Sequence, residues 1–253
     1  MPIKTFLIAF FSALPFCLNA QTTLFEDTFE NRPEGSRLHD SISSDGRAVW
    51  VVQWGNGATQ PFVTIHGDAD DRFAASKIEA GNAALTRPRD RNNAPFRAAD
   101  FRLEFDFLYL QSFADNRDLR VQYRLEDDFL DLDKGGVIPG YRVRLQAEKS
   151  KTRKNLIRWS IETDPDGSES EAIANGVFEL GQLIVAGDDA PGQRVRVVLE
   201  AVGNRQRLEL NGETVVNIKD ARFGKPGEDA MNFKLIGGRN RGFDNLRFIS
   251  AVQ

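Results

Sequence analysis

Cysteine is nearly absent from this chain. Its one cysteine, Cys17, falls within the first twenty residues, so the remainder has no disulfide and no thiol chemistry. Histidine is scarce too, with only His39 and His66. No zinc-ligand spacing, no phosphate-binding loop and no Gly-x-Ser-x-Gly element occurs. Apolar runs stop well short of the ~18 residues that a membrane helix requires. A basic excess is missing as well: Lys and Arg total 33, Asp and Glu 37, and the formal charge is -4. That balance argues against a general nucleic-acid binder. At 41% hydrophobic and 28% charged residues, the chain is also too apolar to be disordered.

The first twenty residues read as a signal peptide. Lys4 supplies a short positive region, Phe6 to Phe16 is apolar, and Asn19-Ala20 before Gln21 makes a small-residue cleavage site. Cleavage before Cys17, as in a lipoprotein, would place bulky Phe16 where a small residue is wanted. Cleavage after Ala20 is therefore expected, giving a periplasmic or secreted product. Loss of the leader removes one lysine and no acid, taking the formal charge from -4 to -5. The alternative is a buried N-terminal strand.

From residue 24 onward, strand follows strand, with turn residues between. Residues 101–107, 119–125 and 141–145 alternate cleanly with period two. Further strands are expected at 47–54, 61–66, 154–162, 193–202, 205–211, 213–218, 230–237 and 243–249. Asn211-Gly212 marks a tight hairpin, because both residues tolerate positive φ. Residues 86–98 and 163–171 are the most loop-like stretches, and neither makes a convincing linker. A single all-β domain over 21–253 is expected. Each strand has one apolar and one polar edge, which favours two packed antiparallel sheets over a closed barrel.

Four segments resemble the concanavalin A-like lectin/glucanase superfamily. They are Leu24–Glu30 as its first strand, Gly192–Glu200, Asn204–Val216 as its recurrent Asn-Gly hairpin, and Gly242–Phe248 as its closing strand. The resemblance implies a jelly-roll sandwich, usually one that binds or acts on glycans. It also implies calcium, which many members hold between the first and closing strands. Asp27 (or Glu26) and Asp244 stand at the matching places, and hard carboxylate oxygens suit the ion.

Parity along a strand assigns side chains to faces. If 101–107, 119–125 and 141–145 are neighbours in one sheet, Arg102, Arg120, Arg124, Arg142, Arg144 and Arg158 line a common cationic groove. Such a groove on an acidic protein suits an anionic polysaccharide, since the planar arginine fork matches carboxylate and sulfate. Arginine outnumbers lysine 24 to 9. The competing reading is a solvated face on which these arginines pair with Glu104, Asp106 and Glu126. Trp54, beside Gly55-Asn56-Gly57, is a candidate platform for sugar stacking, or else a core residue sharing the parity of Trp50.

Catalysis has weaker support. Glu104-Phe-Asp106 resembles the Glu-x-Asp-x-x-Glu strand of the superfamily's hydrolases, but the last position is Tyr109. Jelly-roll lyases use a tyrosine or histidine base beside an arginine. Tyr109, Tyr123 and Tyr141 all have core parity, and the candidate base is His66, at the end of its strand, or one of these tyrosines. Three functions remain open: an exported glycan-binding protein, a lyase or hydrolase acting on an anionic polysaccharide, and a non-catalytic envelope scaffold.

Overall fold

The computed structural model describes residues 21–54, 63–68, 70–76, 83–109, 118–125, 139–148, 156–164, 171–180, 193–224, 230–236 and 241–251. The expected signal peptide lies outside them. Described in chain order, the strands are β1 (Gln21–Asp27), β2 (Ala48–Trp54), β3 (Val63–His66), β4 (Phe73–Ser76), β5 (Ala83–Asp90), β6 (Phe101–Tyr109), β7 (Asp118–Leu125), β8 (Gly140–Glu148), β9 (Leu156–Asp164), β10 (Glu171–Glu179), β11 (Gln193–Val202), β12 (Arg205–Leu210), β13 (Glu213–Lys219), β14 (Ala230–Ile236) and β15 (Arg241–Ala251).

These strands make two antiparallel sheets. The first runs β13-β12-β11-β6-β15-β4-β3, with β1 also paired to β15. The second runs β10-β9-β8-β7-β14-β5-β2. Alternation in sequence becomes alternation in burial. Phe101, Leu103, Phe105 and Phe107 are fully covered, while the residues between them are not. The hairpin at Asn211-Gly212 forms as expected, with φ of 50° and 82° between the paired residues Leu210 and Glu213.

Three strands differ from the expectation. β4, β5 and β10 were not anticipated, and β5 occupies part of the loop-like stretch 86–98. Pro88 is tolerated there because β14 pairs with β5 only over 83–86, so Pro88 faces β2 alone. A larger correction concerns layering. β6 lies in the first sheet and β7 and β8 in the second, so 101–107 is not a neighbour of 119–125 or 141–145.

Phenylalanine fills the space between the sheets. Phe101 of the first sheet meets Tyr123 of the second edge-on at 5.6 Å, and Tyr123 stacks on Tyr141 at 5.4 Å. Phe248 links Phe101 to Phe25, which packs on Phe96 at 4.9 Å, and Phe29 meets Phe243 at 5.6 Å. Each fully buried aromatic of this kind contributes roughly 1.5–3 kcal/mol. Polar atoms inside are tied across the layers. The Tyr123 hydroxyl donates to Gln206 on β12, and the Tyr141 hydroxyl donates to Asp220. Burial raises the pKa of both phenols, that of Tyr141 to about 12, so both stay protonated donors. Among the described residues, no helix is long and apolar enough to cross a membrane.

Candidate functional site

The outer face of the first sheet carries the candidate carboxylates. Glu104 accepts from Arg102 Nε at 2.5 Å and from Arg196 Nη2 at 2.6 Å. Asp106 accepts from Arg196 at 3.3 Å and from Asn245 Nδ2 at 2.8 Å. Arg102 also bonds Glu200, which Arg207 approaches at 3.1 Å, and Arg207 in turn bonds Glu209. Arg194 gathers Asp244, Asp71 and Asp106. The result is a lattice of alternating charge across β12, β11, β6 and β15. Burial alone would make Glu104 a weaker acid, but Arg102 and Arg196 outweigh it and hold the carboxyl below its usual range. An ionised carboxylate with both oxygens engaged by arginine is placed as a structural partner and not as a general acid.

The calcium expectation at Asp27 and Asp244 does not fit. Asp27 faces the core, fully covered, where Arg32 grips it with two nitrogens at 2.8 Å. Trp50 Nε1 donates to it at 2.6 Å, Phe29 N at 3.0 Å and Ser44 N at 3.2 Å. Those donors use the roughly four lone-pair directions of a carboxylate. Asp244 faces the opposite side of the same sheet, across from Asp106 in register, and bonds Arg194. The two side chains share no coordination sphere, and arginine supplies the positive charge at each. Burial pushes the Asp244 carboxyl up to about 6, against the pull of Arg194 and the Asn245 backbone. Among the described residues, no group of three or more His, Cys, Asp or Glu is arranged to hold a metal ion.

The outer face of the second sheet brings together Arg120, Arg142, Arg144 and Arg158. Arg120 on β7 stands directly opposite Arg144 on β8, and Gln122 opposite Arg142. On β9, Ser160 faces Arg144, Glu162 faces Arg142, and Arg158 faces Gln146. On β14, Lys234 takes the register position opposite Arg120, and Asn232 that opposite Gln122. Two rows therefore cross four strands: Ser160, Arg144, Arg120, Lys234, and beside it Glu162, Arg142, Gln122, Asn232. Glu162 is the one acid in them. Asp118, Glu148, Asp164 and Glu179 stand at strand ends.

Glu162 is held in place by its neighbours. Arg142 Nε donates to it at 2.8 Å and Ser160 Oγ at 2.7 Å. Burial opposes its ionisation, yet Ser160, Arg142 and Arg120 together keep the carboxyl below its usual range. Several polar side chains here are well covered although they point away from the core. Gln122 is 4% exposed, and Arg87, on β5, is 3% exposed. Arg87 was missed in the sequence because Thr-Arg-Pro-Arg-Asp looked like loop. Arg120, Arg144 and Arg158 each have interactions of their own within the protein.

The remaining candidates lie elsewhere. Arg102 belongs to the lattice on the first sheet. Arg124 is 1% exposed rather than on a surface: its φ of 50° coincides with a register shift between β7 and β14. Its guanidinium donates to Ala99 O at 2.8 Å and Phe223 O at 3.4 Å, with Asp100 at 3.3 Å. His66 is buried on β3 of the first sheet, 2.8 Å from Thr64 Oγ1. Trp54 takes the register position opposite Ala84. The side chains of Trp54 and Tyr109, and all of Glu126, lie outside the described residues.

No family model matches the sequence, and no curated protein matches it. Solved structures do resemble the fold. The exoplasmic/lumenal domain of VIP36, in a form bound to Ca²⁺ and Man3GlcNAc, aligns with a TM-score of 0.52 at 11% identity, covering 87% of this chain and 91% of that one. Domain 4 of AbnA, a GH43 extracellular arabinanase from Geobacillus stearothermophilus, was solved with arabinotriose. It aligns with a TM-score of 0.50 at 9% identity, covering 91% and 93%. With two antiparallel sheets and these neighbours, the chain has the concanavalin A-like jelly-roll fold.

Proposed function

We propose that this protein is an exported glycan-binding jelly roll that takes an anionic polysaccharide on the outer face of its second sheet. The observation that carries the reading is the Arg120–Arg144 pair, directly opposite across β7 and β8, with Arg142 beside it. Like charges facing each other across a ladder are destabilising. A bound anion adds charge-assisted hydrogen bonds to the interactions that these arginines already make within the protein. Gln146 and Ser160, both partly exposed, add the donors and acceptors that sugar hydroxyls need. The solved neighbours with arabinotriose and Man3GlcNAc support the glycan class.

A lyase on the same face would require a base among these arginines. His66 is on the other sheet, and Tyr123 and Tyr141 point inward. Titration calorimetry with polyuronate, sulfated and neutral polysaccharides at two salt concentrations tests the proposal. Anionic polymers should bind with affinity that falls as salt rises, because exposed charges are screened beyond about 8–10 Å. Equal binding of a neutral polymer, indifferent to salt, would remove the anionic part of the reading. Release of an unsaturated uronate would replace binding with catalysis.

A further inference from the structure

The outer face of the second sheet is not equally open across its width. Toward β5 it is covered: Arg87 is 3% exposed and Gln122, on β7, 4%. Toward β10 it is open. That strand stands at the edge of the sheet, paired among the described residues to β9 alone. There Arg158, Asn175 and Val177 are exposed, and Gln146 and Ser160 are partly so. A polymer reaching this face has its freest approach over β8, β9 and β10.

Register defines what the polymer meets there. Val177 on β10 stands opposite Arg158 on β9, and Arg158 opposite Gln146 on β8. Asp118 takes the next register position, on β7. One cation and one acid share this row, so its formal charges cancel. In the neighbouring row Asn175 stands opposite Ser160. Two strand spacings separate Gln146 from Val177 by about 10 Å, the reach of a disaccharide, and Asn175 lies about 6.5–7 Å along β10 from Val177.

Two side chains in these rows have hydrogen-bonding capacity to spare. Among the described residues, the amides of Gln146 and Asn175 have no partner, whereas Arg120, Arg144 and Arg158 are all engaged. An amide both donates and accepts, which is what a sugar hydroxyl exchanges. Val177 is 48% exposed and offers an apolar surface to the C–H face of a sugar ring. A lone exposed valine is ordinary; two unengaged amides beside it give this one a role. On the glycan reading above, we infer that Gln146, Asn175 and Val177 form an uncharged subsite at the β10 edge. It selects the polysaccharide by the hydroxyl configuration of its sugar and not by charge.

Polygalacturonate and polymannuronate carry the same charge per sugar and differ in hydroxyl configuration. Wild-type protein and the double variant Gln146→Ala, Asn175→Ala are titrated with each polymer over a range of salt. The wild type should prefer one of the two. The double variant should bind that polymer about tenfold more weakly, as expected for two neutral hydrogen bonds, and lose the preference. Its salt dependence should match the wild type, because no charged contact is removed. Val177→Ser should weaken binding about threefold through lost apolar contact. A thermal melt checks that each variant is folded. Equal wild-type affinity for the two polymers, or a double variant that binds as the wild type does, would overturn the subsite and leave the anionic reading intact. A loss of affinity with a flattened salt dependence would also overturn it, since the two amides would then act through neighbouring charge. No salt-sensitive binding of either polymer by the wild type would overturn both readings.

Discussion

On the outer face of the first sheet, Arg102, Arg194, Arg196 and Arg207 interleave with Glu104, Asp106, Glu200, Glu209, Asp71 and Asp244. On the second sheet, Arg120, Arg142 and Arg144 share two register rows with Glu162. Arginine is the main cation in both, yet the faces are opposites. The first alternates arginine with acid across neighbouring strands, and Arg102, Arg196 and Arg207 remain about one third exposed. The second sets cations opposite one another and keeps an arginine–carboxylate pair, Arg142–Glu162, about 10% exposed. Composition alone therefore says little about a binding surface. What counts is whether each cation's cross-strand neighbour is an acid.

The largest expected effect is a separation of binding from stability. Arg120→Gln together with Arg144→Gln should weaken polyuronate binding on the order of 100-fold, from two charge-assisted contacts. The same pair of changes should leave the melting temperature unchanged or slightly raised. Arg102→Gln with Arg196→Gln should do the reverse, lowering stability by about 1–2 kcal/mol with affinity intact. Calorimetry and urea unfolding on both double variants check this, and similar binding losses from the two would erase the contrast.

Next comes pH. Asp244 has a folded pKa of about 6, above the ordinary carboxylate value. The folded state therefore binds its proton more tightly than the unfolded state does. The stability contributed is complete below about pH 4 and is lost as pH rises through about 6. Asp244→Asn mimics the protonated form, so its stability relative to wild type should improve between pH 4 and 7 by about 1–3 kcal/mol. Parallel unfolding curves at the two pH values would show that Asp244 is already satisfied. The smallest effect concerns Glu162. Glu162→Gln removes the one negative charge in the rows and should raise polyuronate affinity a few-fold, while costing about 1 kcal/mol through Arg142.

Much of the fold was legible because parity is local. Phe101 to Phe107 announced a buried edge, and Asn211-Gly212 announced its turn. Arg120, Arg142, Arg144 and Arg158 were placed on a shared face for the same reason. Parity cannot say which sheet a strand joins, so Arg102 was grouped with partners it does not meet. It also assumes an unbroken ladder, and at Arg124 the ladder breaks. Asp27 stood at the position expected of a calcium ligand, but Arg32, five residues later, takes the carboxylate instead. That pairing depends on how residues 28–31 turn, and no periodicity encodes the turn.

The bulge at Arg124 bears on how this surface tolerates insertion and deletion. β7 spends one residue more than β14 between Gln122 and Leu125. The surplus lies on the C-terminal side of Arg120, and the ladder from Leu119 to Gln122 runs without interruption. A length change beyond Gln122 can be absorbed where the register is already irregular. A single residue gained between Leu119 and Gln122 would turn Arg120 toward the core and bring an apolar neighbour into the row. The proposed ligand surface is thus protected on one flank of β7 and brittle on the other.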